Sequence, residues 1–410
     1  MNLTRFPQLL RYKVWTGLLV CFVGLAVRAD PSMDSAKLAA ANTGFAFDLF
    51  QQIVKEQPDA NVFISPFSVS TVLQMVGNGA AGGTKTEMQS VLKITGLPAG
   101  PLNEACRNLN QSLASLPDVT LSLANGIWYQ NGIRLRPAFV DENKNYFLAE
   151  LAGVDFTKSK SADIINSWAE KQTRGKIKEV VQFPFPPLTR VILANAIYFK
   201  GKWVKPFDKN QTRPQAFYRR GGEKQVPLMW QRGHFSYQEG DGYQAVRLPY
   251  AGARLQMYLY LPATNSSLAK LLADLNGDTW RSKILPQFVD REGTLALPRF
   301  KLDYDVKLNR PLEALGMRSA FTSAADFSAM ADEPLFVSEV KQKSYVEVNE
   351  EGTEAAAVTT GTMRATAIFQ PLEPFEMIVD RPFFFVIEDN QTQCILFMGL
   401  VFDLAGQGTP

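Results

Sequence analysis

Residues that could carry out catalysis are scarce in this chain of 410 residues. Its one histidine, His234, lies in the stretch "QRGHFSY". A triad of serine, histidine and an acid would have to use His234, and no G-x-S-x-G turn supplies the serine. A histidine-based metal site would have a single ligand. The sequence therefore predicts a protein that is not an enzyme and holds no cofactor or metal, with His234 at the surface or at a strand end.

A glycine-rich stretch at 77–88, "GNGAAGGTKTEM", superficially resembles a phosphate-binding loop. That motif needs Gly-Lys followed by Ser or Thr, whereas Gly83 is followed by Thr84 and then Lys85. The stretch also follows a predicted helix rather than a strand. We interpret it as a turn between two helices.

The balance of charge argues against some partners. The chain has 43 basic and 40 acidic residues and a formal net charge of +3. This charge is too small for nucleic acid or an anionic surface to be the main partner. The hydrophobic content of 46% and the charged content of 20% are ordinary for a globular protein.

The N-terminal segment has the features of a secretory signal. Arg5, Arg11 and Lys13 precede the apolar run "VWTGLLVCFVGLAV", which is short for a membrane span of about 20 residues. A retained membrane anchor is the alternative. We expect residues 1–29 to be removed. Residues 30–410 are then expected to form a single domain, a monomer without membrane contact, secreted to the extracellular space or, in a bacterium, to the periplasm.

Residues 30–410 contain two cysteines, Cys106 and Cys394. Two cysteines do not make a disulfide framework, so a large apolar core must hold the fold. The sequence leaves open whether they pair, and two buried free thiols are the simpler interpretation.

Helical patterns dominate the first half of the chain and strand patterns the second half. In "SPFSVSTVLQMVGNGA", Ser65 is a predicted helix cap and Pro66 lies in the first turn of a buried helix. "SADIINSWAEKQTRGKI" is predicted to be a further helix. "PFFFVIED" and "CILFMGLVF" are almost wholly apolar, as in central strands buried on both faces. These patterns predict an α+β fold with one or two large sheets.

The stretch "EEGTEAAAVTTGTM" at 350–363 favours no single structure. Its Glu-Ala-Ala-Ala half favours helix and its Val-Thr-Thr half favours strand. From Gly352 to Thr362 no side chain is larger than valine except that of Glu354. A surface loop of small residues is one interpretation.

Several stretches along residues 35–403 together resemble the serpin family. They are "NVFISPFSVSTVLQMVGNGAAGGTKTEM", "INSWAEKQTRGKIKEVV", "LANAIYFKGKWVKPFD", "LPRFKLDYDVKLNRPLEALGMRSAF", "VNEEGTEAAAV" and "RPFFFVIEDNQTQCILFMGLV", in family order. The resemblance implies a serpin fold of three β-sheets and about nine helices, with an exposed reactive-centre loop at about 350–371. It also implies a suicide-substrate inhibitor of serine proteases, whose cleaved loop inserts into the largest sheet and traps the acyl-enzyme. A non-inhibitory carrier or chaperone, and an inhibitor of papain-like cysteine proteases, are the alternatives.

The resemblance assigns a hinge to the start of this loop. The hinge residues are Glu350, Glu351, Gly352, Thr353, Glu354, Ala355, Ala356 and Ala357. An inserting strand turns alternate residues into the core. The predicted inward set is small and uncharged: Thr353, Ala355, Ala357, Thr359 and Gly361. Because a large or charged residue there would oppose insertion, the composition favours a working inhibitor.

The family spacing places the cleaved bond sixteen residues after Glu350, between Thr366 and Ala367. This bond, or the one between Ala365 and Thr366, would suit the shallow pocket of an elastase-like protease. The alternative, Arg364–Ala365, would suit a trypsin-like protease with a buried carboxylate.

Five further positions resemble those that support sheet opening in serpins: Ser65, Ser68, Asn195, Trp203 and Gln342. The family usually has histidine where this chain has Gln342. Glutamine donates and accepts like a neutral imidazole, so we expect the polar network to survive without its pH dependence. The helix "LNEACRNLNQSLASL" has Arg107 as its only basic residue, so no heparin site is predicted there.

Overall fold

The computed structural model describes residues 33–116, 119–352 and 373–404. Its helices are α1 (Met33–Glu56), α2 (Pro66–Gly77), α3 (Gly82–Val91), α4 (Ala99–Ala114), α5 (Pro137–Phe147), α6 (Lys160–Gln172), α7 (Leu268–Ala273), α8 (Gly277–Thr279) and α9 (Asn309–Ala314). Its strands are β1 (Val62–Ile64), β2 (Val119–Gln130), β3 (Glu150–Val154), β4 (Val191–Gly201), β5 (Arg213–Arg219), β6 (Gly222–Gly240), β7 (Tyr243–Pro249), β8 (Leu255–Pro262), β9 (Val289–Pro298), β10 (Phe300–Lys307), β11 (Glu339–Val348), β12 (Phe375–Ile378), β13 (Phe383–Asp389) and β14 (Cys394–Val401). The predicted signal, residues 1–29, lies outside the described residues and stays a prediction.

One sheet has five strands in the order β10-β11-β4-β2-β3. The neighbouring strands β11 and β4 run parallel to each other. Strand β10 pairs with β11, and β2 with β4, in antiparallel fashion. Two antiparallel pairs therefore meet at a parallel seam between β11 and β4.

The other strands form a nine-stranded sheet in the order β1-β14-β13-β8-β7-β6-β9-β12, with β5 beside β6. The 19-residue strand β6 joins two regions of this sheet, because its first part pairs with β5 and its last part with β7. With the five-stranded sheet this makes three sheet regions, so the predicted α+β fold with three sheets and about nine helices is confirmed.

The central strands and the buried helix follow the sequence patterns. Every residue of β13 and β14 is buried, as their apolar runs predict. Helix α2 is buried from Pro66 to Val76, and Ser65 caps it by accepting the Ser68 N–H at 3.3 Å. Burying each large apolar side chain of these elements contributes about 1.5 to 3 kcal/mol to folding.

The prediction of one helix over "SADIINSWAEKQTRGKI" was wrong at its end. Helix α6 stops at Gln172, and Arg174 and Gly175 have φ angles of +55° and +77°. The hydroxyl of Thr173 then accepts the Ile177 N–H at 3.0 Å. This turn sends residues 176–181 back across the sheet beside α6.

Cys106 and Cys394 are free and buried. Within the described ranges, no helix is both long and apolar enough to cross a membrane.

Candidate functional site

The seam between β11 and β4 opens at one end. Their parallel pairing stops at Tyr345 opposite Tyr198, although β11 continues to Val348 and β4 to Gly201. Over these last residues each strand stays paired with its outer neighbour, β11 with β10 and β4 with β2. The direct pairing between the two halves of the sheet therefore ends before the strands themselves do.

A tight hairpin turn closes β11 at the open end of the seam. The Asn349 N–H donates to the Gly352 carbonyl oxygen at 2.8 Å, and the Gly352 N–H donates to the Asn349 carbonyl oxygen at 3.2 Å. Gly352 also forms a β-bridge with Lys202, just beyond the end of β4. Gly352 thus lies between the ends of the two seam strands and pairs with the residue that follows each of them.

The hairpin requires glycine at position 352. Its φ of +128° is one that other residues rarely adopt. A Cβ atom there would lie 2.3 Å from the Gly201 carbonyl oxygen and 2.6 Å from the Lys202 Cα atom. These are backbone atoms, so no side-chain adjustment relieves the contact.

The side chain of Glu350 anchors the hairpin turn through hydrogen bonds and an ion pair. Its side chain is buried, and its Oε1 atom accepts from Thr212 Oγ1 at 2.5 Å, Arg299 Nε at 2.7 Å and Arg299 Nη2 at 2.5 Å. Burial by itself raises the pKa of the Glu350 carboxyl, but the hydrogen bonds from Arg299 and Thr212 outweigh it, so the pKa lies below its ordinary value. Glu350 is therefore a buried carboxylate with its cation in place.

Trp203 fixes the turn from the side of β4. Its ring stacks on Tyr250 with centroids 4.5 Å apart, and its Nε1 atom donates to the Asn349 carbonyl oxygen at 3.1 Å. Its backbone N–H donates to the Glu351 carbonyl oxygen at 3.0 Å. The Glu351 side chain makes an ion pair with Lys209.

A buried polar network lies farther along the seam from the hairpin, on the face of the sheet that packs against the start of α2. The Gln342 amide accepts the Ser65 N–H at 2.9 Å and donates to the Ser65 carbonyl oxygen at 3.1 Å. It also donates to Asn195 Oδ1 at 2.7 Å. Gln342 thereby joins β11, β4 and the start of α2.

Asn195 extends the network to β2. Its Nδ2 atom donates to Ser68 Oγ at 2.5 Å and to Asn125 Oδ1 at 2.6 Å. Sequence reasoning missed Asn125, which lies in "VTLSLANGIWYQ". The signal was available, because a buried amide in an apolar strand needs a partner.

The structure brings the predicted support residues into two groups. Ser65, Ser68, Asn195 and Gln342 form the network, while Trp203 lies at the hinge with Glu350, Glu351 and Gly352. The remaining hinge residues and both candidate reactive bonds lie outside the described residues: Thr353, Glu354, Ala355, Ala356, Ala357, Thr366–Ala367 and Arg364–Ala365.

We also searched the part of the chain that the structure describes for side chains that could hold a metal ion or act in catalysis. No group of three or more His, Cys, Asp or Glu residues there is arranged to hold a metal ion. His234 lies on the surface within β6 and faces Asp290 at 3.1 Å.

Comparisons with known proteins agree with this architecture. The family described as "Serpin (serine protease inhibitor)" matches residues 40–404. The leukocyte elastase inhibitor of cattle is 37% identical over 380 residues, which cover 88% of this chain and 98% of that protein. The chain belongs to the serpin family.

Two solved structures show the same fold. Human thyroxine-binding globulin in complex with thyroxine gives a TM-score of 0.82 at 27% identity, over 90% of this chain and 99% of that one. Tengpin, a thermophilic serpin in its native state, gives 0.81 at 28% identity, over 90% and 94% of the two chains. The predicted family is thereby confirmed.

Proposed function

We propose that this protein is a secreted suicide-substrate inhibitor of serine proteases and not an enzyme. The observation that carries the proposal is the position of Gly352, which lies between the ends of β11 and β4 and pairs with residues on both sides. This position supports a role for Gly352 as the first residue of a strand that would enter the seam after the loop is cut.

The hairpin supplies a register for that strand. Extending the antiparallel pairing of Asn349 with Gly352 one residue at a time gives the following partners. Thr353 falls opposite Val348, Ala355 opposite Val346, Ala357 opposite Ser344, and Thr359 opposite Gln342. All four partners on β11 are buried. This supports the predicted inward set, because each of its small residues would face the core.

Insertion would also improve the backbone pairing of the sheet. At present β11 and β4 pair in parallel, an arrangement slightly less stable per residue than antiparallel pairing. A strand that runs down from Gly352 would be antiparallel to both, so one parallel ladder would become two antiparallel ladders. The cut loop gains these hydrogen bonds, which gives the trapping step its driving force.

The target is proposed to be an elastase-like protease that cuts Thr366–Ala367. The likeness to the leukocyte elastase inhibitor supports this class. A trypsin-like protease that cuts Arg364–Ala365 is the competing target.

A non-inhibitory carrier is the second candidate, because thyroxine-binding globulin, whose structure contains thyroxine, shares the fold. The small uncharged residues of the predicted inward set favour the inhibitor. Mixing the protein with elastase, trypsin and papain, followed by denaturing electrophoresis, separates the two functions. An inhibitor gives a complex that survives denaturation, whereas a carrier is cut and leaves the protease active.

Mass spectrometry of the released C-terminal fragment identifies the bond. A fragment that begins at Ala367 supports the elastase-like assignment. One that begins at Ala365 overturns it in favour of a trypsin-like target. A stable complex with papain alone would move the target to the cysteine proteases.

A further inference from the structure

The last paired residues of the seam are two tyrosines, one from each half of the five-stranded sheet. Tyr198 on β4 lies opposite Tyr345 on β11, and their ring centroids are 6.1 Å apart. Both residues are buried, with exposures of 3% and 6%. They lie on the outer face of the sheet, opposite the face that carries the Gln342 network, because they occupy the alternate positions of their strands.

A lysine from the segment after α6 lies over both rings. The Nζ atom of Lys176 is 5.7 Å from the centroid of Tyr198 and 5.6 Å from that of Tyr345. The left-handed residues Arg174 and Gly175 place it there, by turning the chain back over the sheet. At these distances the cation is attracted to the face of each ring.

The apolar cover formed by α6 and residues 177–181 otherwise rests on one half of the sheet. It packs on β2, β3 and β4, and Tyr345 is the one β11 residue in the buried cluster within the described ranges. Tyr345 and Lys176 are therefore the points at which this cover reaches across the seam.

We infer that Lys176, Tyr198 and Tyr345 form a clasp that slows the entry of a strand into the seam. The inference rests on the proposed function in one respect, namely that the reactive loop is the strand that enters. The three residues act as positioning residues, since they hold β4 and β11 together and touch no reacting atom.

The geometry of a sheet requires the clasp to open. Neighbouring strands are about 4.8 Å apart, so an added strand moves β4 and β11 apart by about the same distance. Lys176 cannot then stay in contact with both rings. By the register of the hairpin, Ala356 falls opposite Tyr345 and would occupy the space between the tyrosines. Every entering strand, cut or uncut, must break the clasp at this point.

The chain provides a matched control in Lys301. Its Nζ atom lies 5.1 Å from the centroid of the Tyr345 ring. Lys301 is on β10, which moves together with β11 when the seam opens. It makes the same kind of contact as Lys176 but does not span the seam.

The test measures how fast a synthetic peptide with the sequence of residues 353–362, TEAAAVTTGT, enters the uncut protein. Native electrophoresis and intrinsic fluorescence follow the reaction. We expect Lys176→Met to accelerate entry about fivefold, because opening the seam breaks one of the two cation–π contacts of Lys176 and the variant has no such contact to break. Lys301→Met should remain within about twofold of the wild-type rate. Lys176→Arg should keep the wild-type rate, because arginine keeps the cation over the rings.

Equilibrium unfolding in urea accompanies the rate measurement, since a general loss of stability would also accelerate entry. Lys176→Met loses its contacts with two rings and Lys301→Met its contact with one, so both are expected to lower the midpoint, and each entry rate is compared with the measured loss of stability. An unchanged entry rate in Lys176→Met, or equal acceleration in both variants, overturns the clasp. An entry rate for Lys176→Arg as fast as that of Lys176→Met also overturns the clasp.

Peptide entry needs no protease, so the two proposals fail separately. If no protease is trapped but Lys176→Met still accelerates peptide entry, the clasp stands and the inhibitor assignment falls. If proteases are trapped and the variant behaves like wild type, the clasp falls alone.

Discussion

Gln342 on β11 lies directly opposite Asn195 on β4, and a hydrogen bond of 2.7 Å joins their side chains across the seam. Gln342 uses both ends of its amide, since it also forms two hydrogen bonds with the Ser65 backbone. The histidine that the serpin family usually has at this position would titrate near neutral pH. With glutamine the contact holds the seam closed without a change of charge.

Replacing Gln342 by leucine is expected to destabilise the native state by about 1 to 3 kcal/mol, because it removes the hydrogen-bond partners of the buried Ser65 N–H and Asn195 Oδ1. Equilibrium unfolding in urea measures the change. Gln172→Leu at the exposed end of α6 is the control and should alter stability by less than about 0.5 kcal/mol. Equal effects in the two variants would argue against the network.

Gly352→Ala is expected to open the hairpin, because the new Cβ atom meets backbone atoms of Gly201 and Lys202. Gly252→Ala is the control, because it introduces a similar backbone strain without a clash. Gly252 has a φ of +78°, and a Cβ atom there has nothing within 4 Å. The control should lose about 1 kcal/mol from strain alone. A melting temperature for Gly352→Ala that is no lower than the control's would contradict the close contact.

Arg299→Met removes the cation beside the buried Glu350 carboxylate. We expect a loss of about 2 kcal/mol at neutral pH, since hydrogen bonds to charged groups contribute about 1.5 to 3 kcal/mol. The pKa of Glu350 is depressed in the fold, so its contribution is present above the ordinary value of 4.5 and is lost as the pH falls through the lower folded value. Urea unfolding at pH 7 and pH 3 should show a smaller difference between variant and wild type at pH 3. The exposed Arg310→Met serves as control, and a pH-independent difference would exclude this explanation.

Glu388 is expected to make the protein more stable in mild acid. It is buried in β13, where its side chain accepts from Trp280 Nε1 at 2.6 Å and Tyr258 OH at 3.4 Å. Burial raises the pKa of Glu388 to about 7 from an ordinary 4.5. Because the folded pKa is the higher one, this contribution is complete below about pH 4.5 and is lost as the pH rises through about 7.

Glu388→Gln should remove that part of the pH dependence, which amounts to about 3 kcal/mol between the two limits. Melting temperatures between pH 4.5 and pH 8 measure it. Glu333→Gln at the surface should leave the profile of the wild type. A profile for Glu388→Gln that falls as steeply as the wild type's would show that another group is responsible.

Thr353→Arg is expected to turn the inhibitor into a substrate. Thr353 falls opposite the buried Val348 in the proposed register, so insertion would have to bury an unpaired charge. The number of inhibitor molecules consumed for each protease trapped should rise severalfold. Glu354→Arg, on the outer face, is the control. Unchanged consumption in Thr353→Arg would count against insertion in this register.

Local sequence signals predicted much of this fold. Ser65 followed by Pro66 marked the start of α2, and the apolar runs of β13 and β14 marked central strands. The end of α6 was missed because Arg174, a good helix former, takes a left-handed conformation. Its position depends on the packing of the following segment, which no local pattern encodes.

The residues that anchor the predicted hinge could not be predicted from local sequence either. The composition of the stretch after Glu350 predicted a hinge, but its anchors could not be found that way. Arg299 is 51 residues before Glu350 and Thr212 is 138 residues before it. Only the antiparallel pairing of β10 with β11 and the fold around it bring these residues together.

The placement of β13 and β14 has a consequence for the protein after a cut. Both strands follow the predicted reactive loop in the chain, yet they lie inside the nine-stranded sheet between β1 and β8. A cut in the loop therefore creates a second chain end without releasing a domain. The product would be a two-chain complex whose interface is the hydrophobic core itself, so the short chain would stay bound to the long one as a subunit.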